Sequence, residues 1–442
     1  MTLYYNKRDL IIVDDNKATM PFRLGLTALL LALGLRAQQP IPDNPLRAGA
    51  NQKKATRINE AIYQAIGFGN AMMVFTSDGN VVIDTSIRAQ AERNKKLLQA
   101  ENSGPVKYII LTHGHGDHTG GVPLWKEAGT QVIAQKNHVE FMNYQARLNG
   151  FFARRNAAQF AGLTPEIGPW PGNYGAKIEP TILFDDRYEF TLGGMKFELY
   201  HTPGETPDHL TVWVPKYRAA FIGDNYYTSF PNMYTLRGTQ PRPALDYINS
   251  LNKVLSLKPE IVIPSHGAAI HGNAEITERL TRYRDAIQYV HDAVVAGMNN
   301  GKDVFTLMRQ IKLPANLEVG ESYGRLTWSI RGIYEGYAGW FDGNPATMYE
   351  TPASSAFPDL VKLAGGPDRV AQLAAERVAS GELVEALHLT DAALSVDPGH
   401  SKALEVRLQA LQKLRQQSHN SNESGWLDNG IQRVKQRLAS DK

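Results

Sequence analysis

The sequence THGHGDHTGG spans residues 112–121 and directly follows an apolar run at residues 108–111 that predicts a short buried strand. Side chains two positions apart on an extended chain point the same way, so His113 and His115 can share one metal ion. Asp117 and His118 would then face a second ion close by, and the glycines between them permit a tight backbone turn. The alternative is a solvated histidine-rich loop, which would need no further ligands downstream.

Composition restricts the chemistry of such a site. The chain has 442 residues, 12 histidines and no cysteine, so thiolate zinc sites, disulfides and cysteine nucleophiles are excluded. Lys and Arg number 47 against 44 Asp and Glu, a net charge of only +3. This balance argues against a nucleic-acid binder, which normally carries a strong basic excess. Any metal site must therefore be built from histidine and carboxylate.

Further ligand-type residues follow predicted strands along the chain. Glu205 lies in the sequence HTPGETPDH at residues 201–209, Asp224 in IGDN at 222–225, and His266 in PSHG at 264–267. Strand ends that converge on one edge of a sheet sandwich are a natural place for a metal cluster. A carboxylate at the end of another predicted strand, Asp84, is a candidate to orient a ligand histidine through its free ring nitrogen.

This order of motifs resembles the metallo-β-lactamase superfamily, whose pattern is HxHxDH, then TPGH, then Asp, then His. Here Glu205 replaces the histidine after Thr-Pro-Gly, which resembles the alkyl sulfatase branch, although that branch typically carries Glu where this chain has Asp224. The sequences NMYTLRG at residues 232–238 and GWFDGNP at residues 339–345 also resemble this branch and its dimerisation domain.

The resemblance implies an α/β fold, a metallo-β-lactamase αββα sandwich followed by an all-helical dimerisation and tetratricopeptide-like domain. The expected divisions are a leader at 1–39, a catalytic domain at 40–275, a helical dimerisation region at 276–350 and a helical C-terminal region at 359–442. The helical region predicts a homodimer.

The resemblance also implies two zinc ions per chain. By motif position, the expected ligands are His113, His115 and Glu205 for one ion, Asp117, His118 and His266 for the other, and Asp224 as the bridge.

The implied function is a dizinc hydrolase of sulfate esters, with alkyl sulfates in first place, acting through a metal-bridging hydroxide. Three carboxylates and one hydroxide balance two Zn²⁺ ions, so a cation such as Arg237 should be needed to clamp an anionic ester. Asp117, Asp224 and Arg237 are the expected catalytic groups, and Asn232 and Tyr234 are expected to bind substrate beside Arg237.

Two other classes remain open at this point. A hydrolase of another ester or amide would act on a phosphodiester, a phosphonate, a lactone or a β-lactam. A non-catalytic dimeric assembly module would use the helical region and carry a vestigial metal site.

The beginning of the chain predicts export. Residues 20–39 read MPFRLGLTALLLALGLRAQQ, in which Arg23 precedes an apolar run that is too short to span a bilayer but suits a signal peptide. Residues 1–19 make a poor start for such a peptide, so Met20 is the expected true start. A short buried helix is the alternative. We expect a periplasmic or secreted protein with no stable membrane span after removal of the signal.

Overall fold

The computed structural model describes residues 47–160 and 178–440, and within these ranges two β-sheets form the centre of the molecule. The turn at Ser77–Asp78 joins two strands that both belong to a seven-stranded sheet in sequential order. Its strands are β1 (Thr56–Arg57), β2 (Ile62–Ala65), β3 (Ala71–Thr76), β4 (Gly79–Thr85), β5 (Val106–Ile110), β6 (Gln131–Gln135) and β7 (Ile182–Phe184). Strands β1–β4 pair antiparallel, and β4–β7 pair parallel.

The second sheet has six described strands, in the order β13-β12-β11-β10-β9-β8. They are β8 (Arg187–Leu192), β9 (Met195–His201), β10 (Leu210–Val214), β11 (Ala219–Phe221), β12 (Ile261–Ile263) and β13 (Ile270–His271). Only β11 and β12 pair parallel in this described sheet.

The alternation of side chains along the strands places the two sheets face to face. In β10, Leu210, Val212 and Val214 enter the core between the sheets, whereas Trp213 points to the opposite face. In β4, Val81 and Ile83 enter the same central core, whereas the side chain between them packs against helices. Each sheet is therefore buried on both faces.

Helices cover the outer faces. The first nine are α1 (Arg88–Gln99), α2 (Gly116–Thr119), α3 (Val122–Trp125), α4 (His138–Arg147), α5 (Asn149–Gln159), α6 (Ala244–Ser256), α7 (Asn273–Asn299), α8 (Val304–Gln310) and α9 (Leu326–Ala338). Leu98 of α1 and Trp125 of α3 pack against the first sheet. Helices α6, α7 and α9 pack against the second sheet in one continuous apolar core. The predicted αββα sandwich is thus confirmed.

From Asn273 to Ser440 the elements are helical, as predicted. The last helices are α10 (Phe357–Leu363), α11 (Pro367–Ser380), α12 (Leu383–Val396), α13 (Ser401–Gln417) and α14 (Ser421–Ser440). Helices α11, α12 and α13 pack on one another through small apolar side chains such as Ala374, Ala386 and Ala410. The apolar core under α7 and α9 continues that of the second sheet across the predicted boundary at residue 275, and that boundary remains a prediction.

The predicted leader, with its signal peptide and the alternative start at Met20, lies outside the described residues. Among residues 47–160 and 178–440, we find no helix that combines the length and the apolar character required to cross a bilayer.

Candidate metal centre

The predicted ligands follow the ends of strands from both sheets. His113 follows β5, Glu205 follows β9, Asp224 follows β11 and His266 follows β12. Parallel pairing of β11 with β12 brings the last two to the same edge of the second sheet. The loops are also tied to one another, because the Glu205 backbone N–H donates to Asn225 Oδ1 at 3.0 Å.

One group of donor atoms is formed by Asp117, His118, Asp224 and His266, whose ligand atoms all lie within 4.8 Å of one another. His118 Nε2 lies 3.3 Å from Asp117 Oδ2 and 3.4 Å from Asp224 Oδ2. His266 Nε2 lies 3.0 Å from the same oxygen of Asp224 and 3.5 Å from Asp117 Oδ2. Donors around a tetrahedral zinc ion at ordinary bond lengths are about 3.3 Å apart, so this spacing suits one metal ion.

The second group contains His113, His115 and Asp224. His113 Nε2 lies 2.9 Å from His115 Nδ1 and 3.8 Å from Asp224 Oδ2. Glu205 lies at the margin of this group, with its Oε1 3.8 Å from His115 Nδ1. The predicted set of seven side chains is therefore brought together, with Asp224 common to both groups and Glu205 the most peripheral member.

Two buried atoms indicate that these groups fit metal ions. Among the described residues, neither His118 Nε2 nor Asp224 Oδ1 has a hydrogen-bond partner, although both are shielded from solvent. Buried polar atoms are rarely left unsatisfied, and a bound cation would accept both lone pairs. The structure thus supports a metal cofactor at this position.

Burial and neighbouring charges act differently on the different ligands. Although burial opposes it, Asp117 and Asp224 raise the pKa of His118 and of His266, so a bound cation would displace protons there. Burial lowers the pKa of His113 and of His115 well below the ordinary histidine value, which leaves both imidazoles neutral. Burial alone would raise the pKa of Asp224, but His266 and His118 lower it well below its ordinary value. The group that is common to both donor sets is therefore a carboxylate.

Asp84 makes the contact that the sequence suggested. It is the penultimate residue of β4 and has a left-handed φ of 54°, and its Oδ2 lies 3.0 Å from His118 Nδ1. The same oxygen accepts hydrogen bonds from Thr112 Oγ1 at 2.7 Å and Ser265 Oγ at 2.8 Å. Because Asp84 occupies His118 Nδ1, it directs Nε2 of that ring toward Asp117 and Asp224.

Sequence reasoning did not find the partners of Glu205. Arg242 Nη1 lies 2.6 Å from Glu205 Oε1, and the Tyr247 hydroxyl donates to Glu205 Oε2 at 2.7 Å. Neither residue stands at a recognisable motif spacing. A chemical argument could have indicated Arg242, because a carboxylate in a buried cluster needs a cation nearby. Arg242 lies only five positions after Arg237 of the NMYTLRG motif.

Arg237 lies beside the two donor groups, as predicted. Its side chain is almost fully buried, and its Nη2 lies 3.4 Å from His115 Nε2. Among the described residues, its Nε has no hydrogen-bond partner. Arg237 lines a narrow cleft together with Asp117, Asp224 and the aromatic rings of Phe160 and Tyr323. A buried guanidinium with a free donor beside a metal centre can receive the oxygens of an anion.

The other two predicted substrate residues are not brought to this cleft. Tyr234 is 37% exposed and packs near Gly332 of α9. Asn232 is buried, and its carbonyl accepts a hydrogen bond from Arg242 Nη1 at 2.7 Å. Neither is among the described residues that line the cleft, so contact with substrate stays a prediction for both.

His209 has a structural contact rather than a place in either donor group. Its Nε2 accepts a hydrogen bond from the Asp224 backbone N–H at 3.1 Å. Burial lowers its pKa to about 4, so the ring is a neutral acceptor. Gly223 has a φ of 52°, and a side chain there would collide with the His209 ring. The glycine before Asp224 is thus required for this close approach.

Comparison with known families agrees with this architecture. Residues 65–266 match the metallo-β-lactamase superfamily, and residues 305–436 match the alkyl sulfatase dimerisation family. The chain therefore combines a metallo-β-lactamase superfamily domain with an alkyl sulfatase dimerisation domain. The second match includes residues 351–358, which lie between the predicted dimerisation region at 276–350 and the predicted helical region at 359–442.

Curated relatives extend the similarity over most of the chain. A linear primary-alkylsulfatase of Pseudomonas sp. is 29% identical over 381 residues, which cover 80% of this chain and 72% of the relative. An alkyl/aryl-sulfatase of Saccharomyces cerevisiae is 27% identical, covering 83% of this chain and 61% of the relative. An (R)-specific secondary-alkylsulfatase of Pseudomonas sp. is 25% identical, covering 81% of this chain and 59% of the relative. The chain thus spans only about three fifths of the last two relatives.

A solved structure supports the fold. The stereoselective inverting sec-alkylsulfatase Pisa1 from Pseudomonas sp. superposes with a TM-score of 0.79 at 22% identity. The superposition covers 86% of this chain and 65% of that structure.

Proposed function

We propose that this chain is a dizinc hydrolase of sulfate esters and that alkyl sulfates are its substrates. One observation carries the proposal: members of both groups of metal donors, which have Asp224 in common, line the same cleft as the buried guanidinium of Arg237. The curated relatives named as alkylsulfatases support the choice of sulfate among anionic esters.

Two divalent ions held by these groups would supply Lewis acidity that activates water and stabilises developing charge. The chain's own residues would do the rest. Asp224 joins the two donor groups through one carboxylate, and Asp84 fixes the orientation of His118. Arg237 presents its Nε and Nη2 as a planar fork that matches two sulfate oxygens. Phe160 and Tyr323 provide apolar surface on which an alkyl chain can lie and which excludes water.

The decisive experiment compares substrates on one preparation of the purified chain. The panel contains an alkyl sulfate, an aryl sulfate, a phosphodiester, a neutral lactone and a β-lactam, with zinc measured in the same samples. We expect two zinc ions per chain and turnover of the alkyl sulfate above all others. Turnover of the β-lactam alone would refute the sulfatase proposal, and less than one zinc per chain with no turnover would favour a non-catalytic assembly module.

The homodimer is also a proposal. All residues from Gly336 to Ala356 are exposed, although this segment carries Trp340 and Tyr349 with 76% and 66% of their surface accessible. Soluble monomers rarely present such a run of large apolar side chains, and a second copy of the chain is the partner that the matching dimerisation family favours.

Export to the periplasm or the medium remains a proposal from residues 20–39 alone. The mass of the mature N-terminus after expression of the full chain would test it, because an uncleaved product starting before residue 20 would contradict it.

A further inference from the structure

The last helix of the chain returns to the cleft of the candidate metal centre. Asn420, directly before α14, donates from its side-chain amide to the carbonyls of Glu321 at 2.8 Å and Tyr323 at 2.9 Å. Asn422 donates to the Tyr323 carbonyl at 3.0 Å. Both asparagines are buried. The start of α14 thus fixes the backbone of Tyr323, whose side chain lines the cleft.

A second contact reaches the loop that carries Arg237. Arg155 of α5 donates from Nε to the Arg237 carbonyl at 2.8 Å and from Nη2 to the Leu236 carbonyl. The guanidinium of Arg155 lies 5.1 Å from the ring centre of Trp426 in α14 and 5.1 Å from that of Phe151 in α5. Two aromatic rings therefore hold the side chain that anchors the Arg237 backbone.

Close packing of α14 on α5 maintains this arrangement. Trp426 Nε1 donates to Gln159 Oε1 at 3.2 Å, and Gln159 Nε2 donates to Thr235 Oγ1 at 3.4 Å. Gly425 lies against the Gln159 carbonyl, where any side chain would collide with the backbone. The C-terminal helix and the 235–237 loop are thus joined through α5.

We infer that α14 is a structural part of the substrate cleft and that Trp426 and Asn420 are positioning residues for Arg237 and Tyr323. The inference deepens the proposed function and rests on it for its kinetic consequences. A bidentate anion clamp is effective only when its guanidinium is held in place, so displacement of Arg237 should weaken binding of the anionic substrate. The metal donors follow strand ends elsewhere, so they should not depend on α14.

The experiment uses Trp426→Leu and Asn420→Ala in the full chain. Ile431→Ala is the matched control. Ile431 belongs to α14 and packs in an apolar cluster with residues of α13, so its truncation loosens the helix on the side of α13. We expect the two test variants to raise the KM for an alkyl sulfate and the inhibition constant of inorganic sulfate by about tenfold. We expect kcat to change by less than about threefold and zinc content to stay the same. Trp426→Phe should restore most of the stacking and hence most of the affinity.

Hydrogen exchange measured by mass spectrometry gives a readout that needs no activity. Exchange should increase in residues 234–238 in Trp426→Leu and in residues 321–324 in Asn420→Ala. In both variants it should stay unchanged in residues 112–118. Unchanged exchange in both segments, or an equal increase in Ile431→Ala, would overturn the inference. If the wild type hydrolyses no sulfate ester but the exchange pattern appears as expected, the proposed function fails and the structural role of α14 stands.

Discussion

Arg242 and Glu205 form an ion pair in the interior of the protein, with 2.6 Å between Nη1 and Oε1 and side-chain exposures of only 3% and 5%. Glu205 is also the predicted metal ligand that lies furthest from the other donors, 3.8 Å from the nearest atom of His115. Burial raises the pKa of Glu205, and Arg242 acts in the opposite direction. The pair therefore holds the Glu205 carboxyl group beside the donor group that contains His113 and His115.

Replacing Arg242 should weaken metal binding on one side of the cluster. In Arg242→Met, Glu205 loses its cation, its protonated form becomes more favourable, and its orientation is no longer fixed. Removal of a residue that orients a metal ligand typically costs about 10–100-fold in affinity. We expect zinc content to fall from two ions to one per chain after dialysis against a weak chelator, as measured by elemental analysis.

Tyr247→Phe is the milder companion, because it removes one hydrogen bond to Glu205 and leaves the charge pair intact. It should reduce metal affinity less than Arg242→Met does. If Arg242→Met instead tightened zinc binding, Arg242 would be a competitor of the metal rather than a support for its ligand.

The clustering of the candidate metal ligands could be predicted from the sequence because each lies near a strand end within a short motif. His113, His115 and Asp117 are separated by two positions, and local backbone geometry then decides which side chains converge. The αββα sandwich could be predicted through the family resemblance that these motifs carry. The structure shows its physical basis, because side chains alternate along the strands and both faces of each sheet are buried.

Contacts between distant segments could not be predicted in this way. Arg242 contacts Glu205, which is 37 positions away in the sequence, and Trp426 contacts Gln159, which is 267 positions away. No periodic pattern in the sequence relates the residues of either pair. The motif that contains Arg237 also suggested Tyr234 as a substrate residue. Arg237 lines the cleft, Tyr234 is not among the described residues that line it, and its contact with substrate stays a prediction. Neighbours in a motif share a backbone path, and the turn between them decides which side chain points inward.

Arg237 should distinguish anionic from neutral substrates. In Arg237→Ala, the cleft loses the buried guanidinium that faces the metal donors, so kcat/KM for an alkyl sulfate should fall by about 100-fold or more. Turnover of a neutral lactone, if the wild type shows any, should fall far less. Arg237→Lys keeps the positive charge but loses the planar fork, so its kcat/KM for the alkyl sulfate should lie between those of the wild type and Arg237→Ala.

The measurement is kcat/KM on both substrates, with zinc content determined for each variant. Equal losses on the anionic and the neutral substrate would remove the role of Arg237 as an anion clamp. A loss of zinc in Arg237→Ala would point instead to support of the metal site.

Asp84 should control the affinity of the metal held by His118. Asp84→Asn keeps the size of the side chain, and asparagine tolerates the left-handed backbone at this position. An amide is a weaker acceptor for His118 Nδ1, and it cannot accept all the hydrogen bonds that now converge on the carboxylate from Thr112 and Ser265. We expect zinc affinity to fall by about 10–100-fold, measured by competition with a chromophoric chelator.

Asp78→Asn is the control for Asp84→Asn, because Asp78 lies in the exposed turn of the same hairpin and should leave zinc affinity unchanged. Circular dichroism should show that both variants are folded. Wild-type zinc affinity in folded Asp84→Asn would contradict the orienting role.

The exposed segment from Gly336 to Ala356 should decide the oligomeric state. Trp340→Ser removes the most accessible large ring of this segment, and the loss of its buried area at an interface should weaken association by about 2–3 kcal/mol, which corresponds to a 30- to 150-fold higher dissociation constant. Light scattering over a dilution series should show a dimer for the wild type and a shift toward monomer for Trp340→Ser. Leu124→Ser, on the exposed side of α3 in the catalytic domain, should behave as the wild type. A monomeric wild type would contradict the homodimer, and a dimer that neither substitution affects would place the interface elsewhere.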